Sequence, residues 1–369
     1  MALQLFSSDF MTIDIGFRYI KIIQLRKKKN NDLMVINYGI GDTPKGCIKN
    51  GAIKDKAKVV SEIKRVINEH DLSAREAKIV VSGTNIITRI IMVDKVEEKE
   101  VDKKVWSEIH NFLPIKFDEH RVDYKLLDVV NDNGKEKMRV FVTAVAKNII
   151  DSYIEILKDL KLKPVSVDIP ANSISKFFQK DIEFKETDIL SRKQRFPKTS
   201  TNTVAVIDLG SETTIVNILK NKIPEFNRVI LLGSSNIDQV IIDHLALNMK
   251  DADKAERYKK MYGMVLFRDP NNDLEWQCSE CARKIIGEIT KNIKMCFNFY
   301  IDRCAGEQIS KIFLVGGGSK LKGIREYFEE VFGIPTYPIN YVDVRGIEFA
   351  PELNIEKINY LINAIGIAL

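Results

Sequence analysis

Residues 203–220 read TVAVIDLGSETTIVNILK, and this stretch decides the fold. Val204 to Ile207 is an apolar run of strand length, Asp208-Leu209-Gly210 supplies a bend, and Thr213 to Leu219 is a second apolar run. Phe226 to Leu232 is a third. The same order opens the chain. A strand signal starts at Met11 and runs toward Ile23 with Asp14-Ile15-Gly16 inside it, Tyr19 to Leu25 follows, and Leu33 to Tyr38 comes after a polar turn. Two copies of one unit, each bent at Asp-x-Gly, indicate a duplicated α/β domain, because repeated element order marks a repeated supersecondary unit.

Helical patterns follow each copy. Lys56 to Glu69 carries Val59, Val60, Ile63, Val66 and Ile67 on one stripe, and Asn236 to Asn248 carries Ile237, Val240, Ile241 and Leu245 on another. Lys78 to Ser82 and Lys311 to Val315 are later strands, so helices cross over between strands and cover a central sheet. An extra block lies between the halves. Val96 to Phe112 is helical and stops before Pro114, Val122 to Val130 and Met138 to Ala146 form a hairpin across Asn131-Asp132-Asn133-Gly134, and Asn148 to Leu160 is helical. Lys180 to Asn202 lacks periodicity and reads as a mobile loop. The expected division is 1–92 with 164–180, an insertion over 93–163, a linker over 181–202, and a second half over 203–369 whose helical part is about 233–305.

The 369 residues suffice for two or three core-bearing units, and 45% hydrophobic with 29% charged residues is ordinary globular usage. Disorder and fibrous classes are excluded. Lys and Arg exceed Asp and Glu by 6, but the basic clusters Arg26 to Lys29 and Arg192 to Lys198 lack interleaved stacking aromatics, so no nucleic-acid groove is expected. Met1 to Gly16 has no secretory pattern, and no apolar run approaches the ~20 residues of a bilayer span. The closest, Tyr360 to Leu369, reads as a packed helix. An intracellular protein that meets a membrane only through partners is expected. Five cysteines fit a reducing compartment, and Cys278 and Cys281 sit three apart on a helix over Leu274 to Asp302, where packing explains them better than zinc. His70, His110, His120 and His244 show no ligand spacing, and Trp106 and Phe112 read as core.

An Asp-x-Gly bend has a use in phosphate chemistry. Its glycine lets backbone approach a phosphate and offer an amide, and its carboxylate can hold Mg²⁺ through water, since magnesium keeps several waters. Two bends at matching places are far more specific than one. Val315-Gly316-Gly317-Gly318-Ser319 adds a third element, between a strand and a helix over Lys320 to Val331, where glycines let the chain pass against a flat ligand.

These motifs, 208–214 and 315–319, resemble the phosphate-2 and adenosine motifs of the actin-like ATPase superfamily. Asp14-Ile15-Gly16 with Lys21, Leu113-Pro114-Ile115 followed by Asp123-Tyr124, Val165 to Asp168, and Ala255-Glu256-Arg257 with Lys259 and Tyr262-Gly263 extend the resemblance. It looks most like the PilM family of type IV pilus assembly, whose nearest relative is FtsA. The resemblance implies a duplicated actin-like, ribonuclease-H-like α/β ATPase fold with an inserted α+β subdomain in the first half. It implies ATP and Mg²⁺ as cofactors. Asp14 and Asp208 would hold the metal, Gly16, Lys21, Gly210, Ser211, Thr213 and Thr214 would line the phosphates, Glu256 and Lys259 would approach ribose and adenine, and Gly316, Gly317, Gly318 and Ser319 would lie under the base. Asp168 is the candidate catalytic residue. Two departures, Phe17 where the family has Ser and Pro170 where many members have an acid, imply ATP binding with weak or no hydrolysis.

The implied role is a cytoplasmic scaffold of the pilus inner-membrane platform. It would grip the cytoplasmic N-terminal tail of a PilN-like membrane protein between the strand Asn85 to Val93 and the insertion, and could also meet the pilus assembly ATPase and platform proteins. Two alternatives remain. An FtsA-like cytoskeletal protein would carry a C-terminal linker and amphipathic helix, whereas this sequence stops at Ala364 to Leu369 within its last superfamily motif; a small-molecule kinase would lack the hairpin-containing insertion.

Overall fold

The computed structural model describes residues 9–30, 32–184, 202–248, 251–303, 307–339, 342–351, 353 and 358–369. Most of the expected linker, the basic cluster Arg192 to Lys198, and Cys304 lie outside these residues. The first unit opens with β1 (Phe10–Ile15), β2 (Tyr19–Lys27) and β3 (Leu33–Asp42), so the apolar signal from Met11 to Ile23 is two antiparallel strands broken at Gly16, with Asp14 opposite Lys21. A small hairpin of β4 (Ile48–Lys49) and β5 (Ala52–Ile53) leads to α1 (Lys56–Glu69). Asp55 caps α1 by accepting from the Lys58 backbone N–H at 3.1 Å, and Val59, Ile63 and Val66 are the buried stripe. This crossover puts β6 (Glu76–Val80) parallel beside β1.

The insertion comprises β7 (Ile87–Asp94), α2 (Val101–Phe112), β8 (His120–Asp132), β9 (Lys135–Ala146) and α3 (Lys147–Asp159). Its three strands pair in the order β7-β9-β8. The strand read as Asn85 to Val93 of the first unit therefore pairs within the insertion, from Ile87 opposite Ala144 to Asp94 opposite Lys137. Ile91, Val93, Val105, Ile109, Val140 and Val142 close a separate small core. Phe112, expected in that core, is instead 57% exposed at the last position of α2, beyond its buried Val105 and Ile109. Trp106 meets the Tyr124 ring edge-on at a centroid distance of 6.2 Å.

β10 (Lys163–Asp168) returns as the edge of the first sheet, parallel to β6, and α4 (Pro170–Phe178) follows. β11 (Ile182–Phe184) begins the segment expected to be loop, pairing with a strand near the end of the chain. The second unit repeats the first: β12 (Thr203–Leu209), β13 (Thr214–Lys220) and β14 (Ile223–Ile230), then α5 (Ser235–His244), α6 (Ala252–Tyr262), α7 (Asp273–Arg303) and β15 (Lys311–Val315) parallel beside β12. α8 (Ile324–Phe332), β16 (Thr336–Pro338), β17 (Val342–Val344), β18 (Ile347–Phe349) and α9 (Ile358–Gly366) complete it.

The two large sheets run β10-β6-β1-β2-β3-β18 and β14-β13-β12-β15-β16, which is one plan used twice. In the first, Asp14 lies opposite Val80 on a parallel neighbour; in the second, Asp208 lies opposite Val315. Both aspartates thus stand at the carboxyl ends of first strands, where open α/β sheets bind ligands. Ile23, Leu25, Phe177, Val206, Leu219, Phe313, Leu361 and Ile365 form a core shared by both units. α4 and α9 approach so closely there that a Cβ on Gly366 would come within 2.0 Å of the Ser173 carbonyl oxygen.

Candidate functional site

The two aspartate bends have the same local chemistry. The Gly16 N–H donates to the Tyr19 carbonyl at 3.0 Å and the Gly210 N–H to the Thr213 carbonyl at 2.9 Å, each closing a tight turn between strands. A Cβ on Gly210 would lie 2.7 Å from the Thr213 oxygen, so only glycine fits. The glycines shape both bends, and their amides close the turns.

The glycine turn after β15 presses onto the second bend. Gly316 has φ +79° and ψ 173°, and a Cβ there would sit 2.1 Å from Asp208 Oδ1. Glycine is therefore required twice, by backbone angle and by the carboxylate beside it. A Cβ on Gly318 would come within 2.8 Å of the Leu209 Cβ, and one on Gly317 within 3.1 Å of the Tyr360 ring.

These three pieces meet at one cleft of about 430 Å³. Asp14, Gly16, Lys21, Asp208, Gly210, Ser211, Thr213, Glu256, Lys259, Gly316, Gly317 and Gly318 all line it. Thr214 and Ser319 stand behind its walls: Thr214 donates to the Leu232 carbonyl at 2.8 Å and Ser319 to the Gly316 carbonyl at 2.7 Å. Asp168 does not line the cleft. Its carboxylate accepts from Lys176 Nζ at 2.9 Å, Asn172 Nδ2 at 2.9 Å and its own following N–H, which turns it along α4.

Electrostatics single out the two bend carboxylates. Asp14 is buried and ion-paired to Lys21 Nζ at 2.8 Å. Burial pushes the Asp208 carboxyl up to about 6, with Lys21 opposing and Asp14 reinforcing the rise. Its hydrogen bond from Asn363 Nδ2 is long, at 3.4 Å. Two buried oxygens on the lining, Asp238 Oδ1 and Asn363 Oδ1, accept no hydrogen bond. Carboxylate and amide oxygens of this kind suit a hard cation and its waters, while Lys21 and the glycine bends suit anionic oxygen. No group of three or more His, Cys, Asp or Glu able to hold a metal occurs among the described residues, so an ion here would depend on water and a bound ligand for most of its shell.

The cleft mouth is bridged through Glu256 by Arg18 and Lys260, two residues that no site expectation named. Arg18, on the turn after Gly16, donates to Glu256 of α6 at 3.0 and 3.3 Å and pairs with Asp42 at 3.1 Å. Lys260 holds the same Glu256 at 2.7 Å, and Lys45 pairs with Asp253 at 3.0 Å. Burial raises the Glu256 carboxyl, but the hydrogen bonds from Lys260 and Arg18 outweigh it and hold the group below its ordinary value. Lys259 donates to Asp238 at 2.8 Å and the Ser234 carbonyl at 3.0 Å. Glu256 and Lys259 thus line the cleft with their charges already matched by protein. Sequence spacing could not show this, since Arg18 and Glu256 are 238 positions apart. Asn363 and Tyr360, from α9, carried no motif signal either. The Cys278 thiol, pushed up to about 11 by burial, and Cys281 are packed on α7 as free cysteines.

No helix among the described residues is long and apolar enough to cross a membrane. By fold, the chain is similar to the protein of a PilM-PilN type IV pilus biogenesis complex, with 21% identity, 98% of each chain covered and a TM-score of 0.76. It is similar at greater distance to the ethanolamine utilization protein EutJ from Carboxydothermus hydrogenoformans, at 12% identity over 97% of this chain and 88% of that one, TM-score 0.53. MreB5 of Spiroplasma citri bound to AMPPNP aligns at 11% identity over 98% and 95%, TM-score 0.50. A family model for the type IV pilus assembly protein PilM matches residues 12–369. With an actin-like fold and a match over nearly its whole length, the chain belongs to the PilM family of type IV pilus assembly proteins.

Proposed function

We propose that the cleft binds ATP with Mg²⁺ and that the protein is a scaffold on the cytoplasmic face of the inner membrane. The observation that carries this reading is the convergence of both Asp-x-Gly bends and the glycine turn on one cleft. Asp14 and Asp208 would hold Mg²⁺ through its waters, and the ion would neutralise phosphate charge. Lys21, Gly16, Gly210, Ser211 and Thr213 would face the phosphates, and Gly317 with Tyr360 would face the base. Phe17 and Pro170 both line the cleft, and neither can orient an attacking water, so hydrolysis is weak or absent.

The scaffold holds the N-terminal tail of a PilN-like membrane protein and reaches the membrane through it. We place the tail where the first sheet faces the insertion. β10 is an edge strand there, with Val165 and Val167 48% and 36% exposed, and Lys125 of β8 is near enough to Asp168 and Lys176 for their charges to act on it. An edge left unpaired among the described residues, with apolar side chains, suits an extended tail. The division into a first actin-like unit, the insertion and a second unit, and contacts with the assembly ATPase and platform proteins, belong to the same reading. The test is co-purification of the full chain with the membrane protein encoded beside it, with and without Mg·ATP. Retention of the tail supports the scaffold; a tail that never co-purifies in either condition contradicts it.

A further inference from the structure

A second cavity of about 720 Å³ lies on the side of the insertion away from β10, between β7, β14 and the end of α7. Its walls are two sheet edges. Among the described residues β7 is hydrogen-bonded only to β9, and β14 only to β13, so each is an edge strand of its sheet there. The groove is apolar inside. Ile90, Phe141, Phe226 and Cys296 line it, and Leu231, Met295 and Phe299 are 67%, 56% and 50% exposed beside them. Exposed apolar side chains grouped on one face mark an interaction site more often than chance placement does.

The charge that lines this groove without an ion-pair partner among the described residues has one sign. Arg89, Arg228 and Arg303 stand at its rim, and none has a carboxylate within ion-pair distance among the described residues. Arg89 donates only to the Thr88 carbonyl at 3.3 Å, and Arg303 lies over the Phe299 ring at 5.5 Å. The single acid on the lining among the described residues, Glu225, is taken by Arg139. The groove therefore holds three unmatched guanidinium groups over an apolar floor. Arginine and aromatic side chains together are the usual anchors of a peptide interface.

We propose that this groove docks an extended segment of a partner protein in which apolar and acidic side chains alternate. Alternation follows from the geometry: an added strand turns successive side chains to opposite sides, so one set enters the apolar floor while the other meets the arginine rim. Backbone pairing would come from the open edges of β7 or β14. The inner end of the groove is closed by Thr88, whose hydroxyl donates to Asn227 Oδ1 at 2.9 Å, and Thr88, Asn227 and Val229 also line the first cleft. The site stands apart from the tail placed at β10, which takes no part in it, although it borders β7, the strand along which the sequence led one to expect the tail.

The test uses the full chain and two fluorescein-labelled ten-residue probes, one alternating Glu with Leu and Val, the other alternating Lys with the same residues. Fluorescence anisotropy should show saturable binding of the Glu probe, weakened by high salt, and none of the Lys probe. Arg228→Glu with Arg303→Glu should weaken the Glu probe by about ten-fold or more, with the thermal melt and PilN-like tail capture unchanged. Equal binding of both probes, no binding of either, or insensitivity to the charge reversals would overturn the proposal. So would sedimentation showing a dimer that Phe299→Glu dissociates, which would make the groove a contact between copies.

Discussion

Asp208→Asn should stabilise the ligand-free protein and abolish its response to nucleotide. Burial raises the Asp208 carboxyl from an ordinary 3.8 to about 6. The folded value lies above the unfolded one, so the group's favourable contribution is complete below pH 3.8 and is lost as pH rises through 6. Ionised at pH 7, it costs at most about 3 kcal/mol. The carboxylate faces a cleft open to water, which screens it, so about 1 to 3 kcal/mol is the expected range. Asparagine has the same shape and no charge. Urea unfolding without nucleotide or metal should place the variant above wild type by that amount at pH 7, with the gap about halved at pH 5. Adding Mg·ATP should then raise wild-type stability by mass action and leave the variant unmoved. A variant less stable than wild type at pH 7, or a gap independent of pH, would refute the reasoning about this carboxylate.

Gly316→Ala should lose about 1 to 3 kcal/mol through backbone strain and should also lose the nucleotide-induced melting shift, because the added methyl displaces the Asp208 carboxylate; differential scanning fluorimetry reads both. Gly134→Ala is the control, since Gly134 also has positive φ but a Cβ there meets nothing within 4 Å; it should leave the nucleotide response intact. Arg18→Ala opens the bridged mouth, so stopped-flow measurements with a fluorescent ATP analogue should show faster entry and release. Its effect on stability should stay within about 1 kcal/mol, as expected for a partly exposed pair. Steady-state ATP turnover should fall well below the ordinary enzyme range of roughly 1 to 1,000 per second, and Pro170→Glu combined with Phe17→Ser should raise it; ordinary turnover by the natural sequence would contradict the reading of those two residues.

The duplicated plan was legible because it rests on local signals: period-two apolar runs, Asp-x-Gly bends, and glycines before a helix. The matched positions of Asp14 and Asp208 followed from that repeat without any knowledge of the sheets. The strand at Ile87–Asp94 was readable as a strand but not as part of the insertion, since pairing with β9 is a choice between distant partners that periodicity does not encode. Phe112 shows the same limit, because an aromatic favours burial only where its helix face is covered. Asp168 lay next to a recognisable strand end, yet its direction depends on Asn172 and Lys176, one and two turns along α4. The bridge from Arg18 to Glu256 and the approach of Asn363 to Asp208 join elements from opposite ends of the chain, and only the folded arrangement brings them together.

Isothermal titration of ATP into the metal- and nucleotide-free protein, with and without Mg²⁺, addresses the cleft most directly. The expected result is a single site per chain that needs Mg²⁺ for full affinity and disappears in Asp208→Asn. No heat of binding in either condition, or equal binding by wild type and Asp208→Asn, would contradict it.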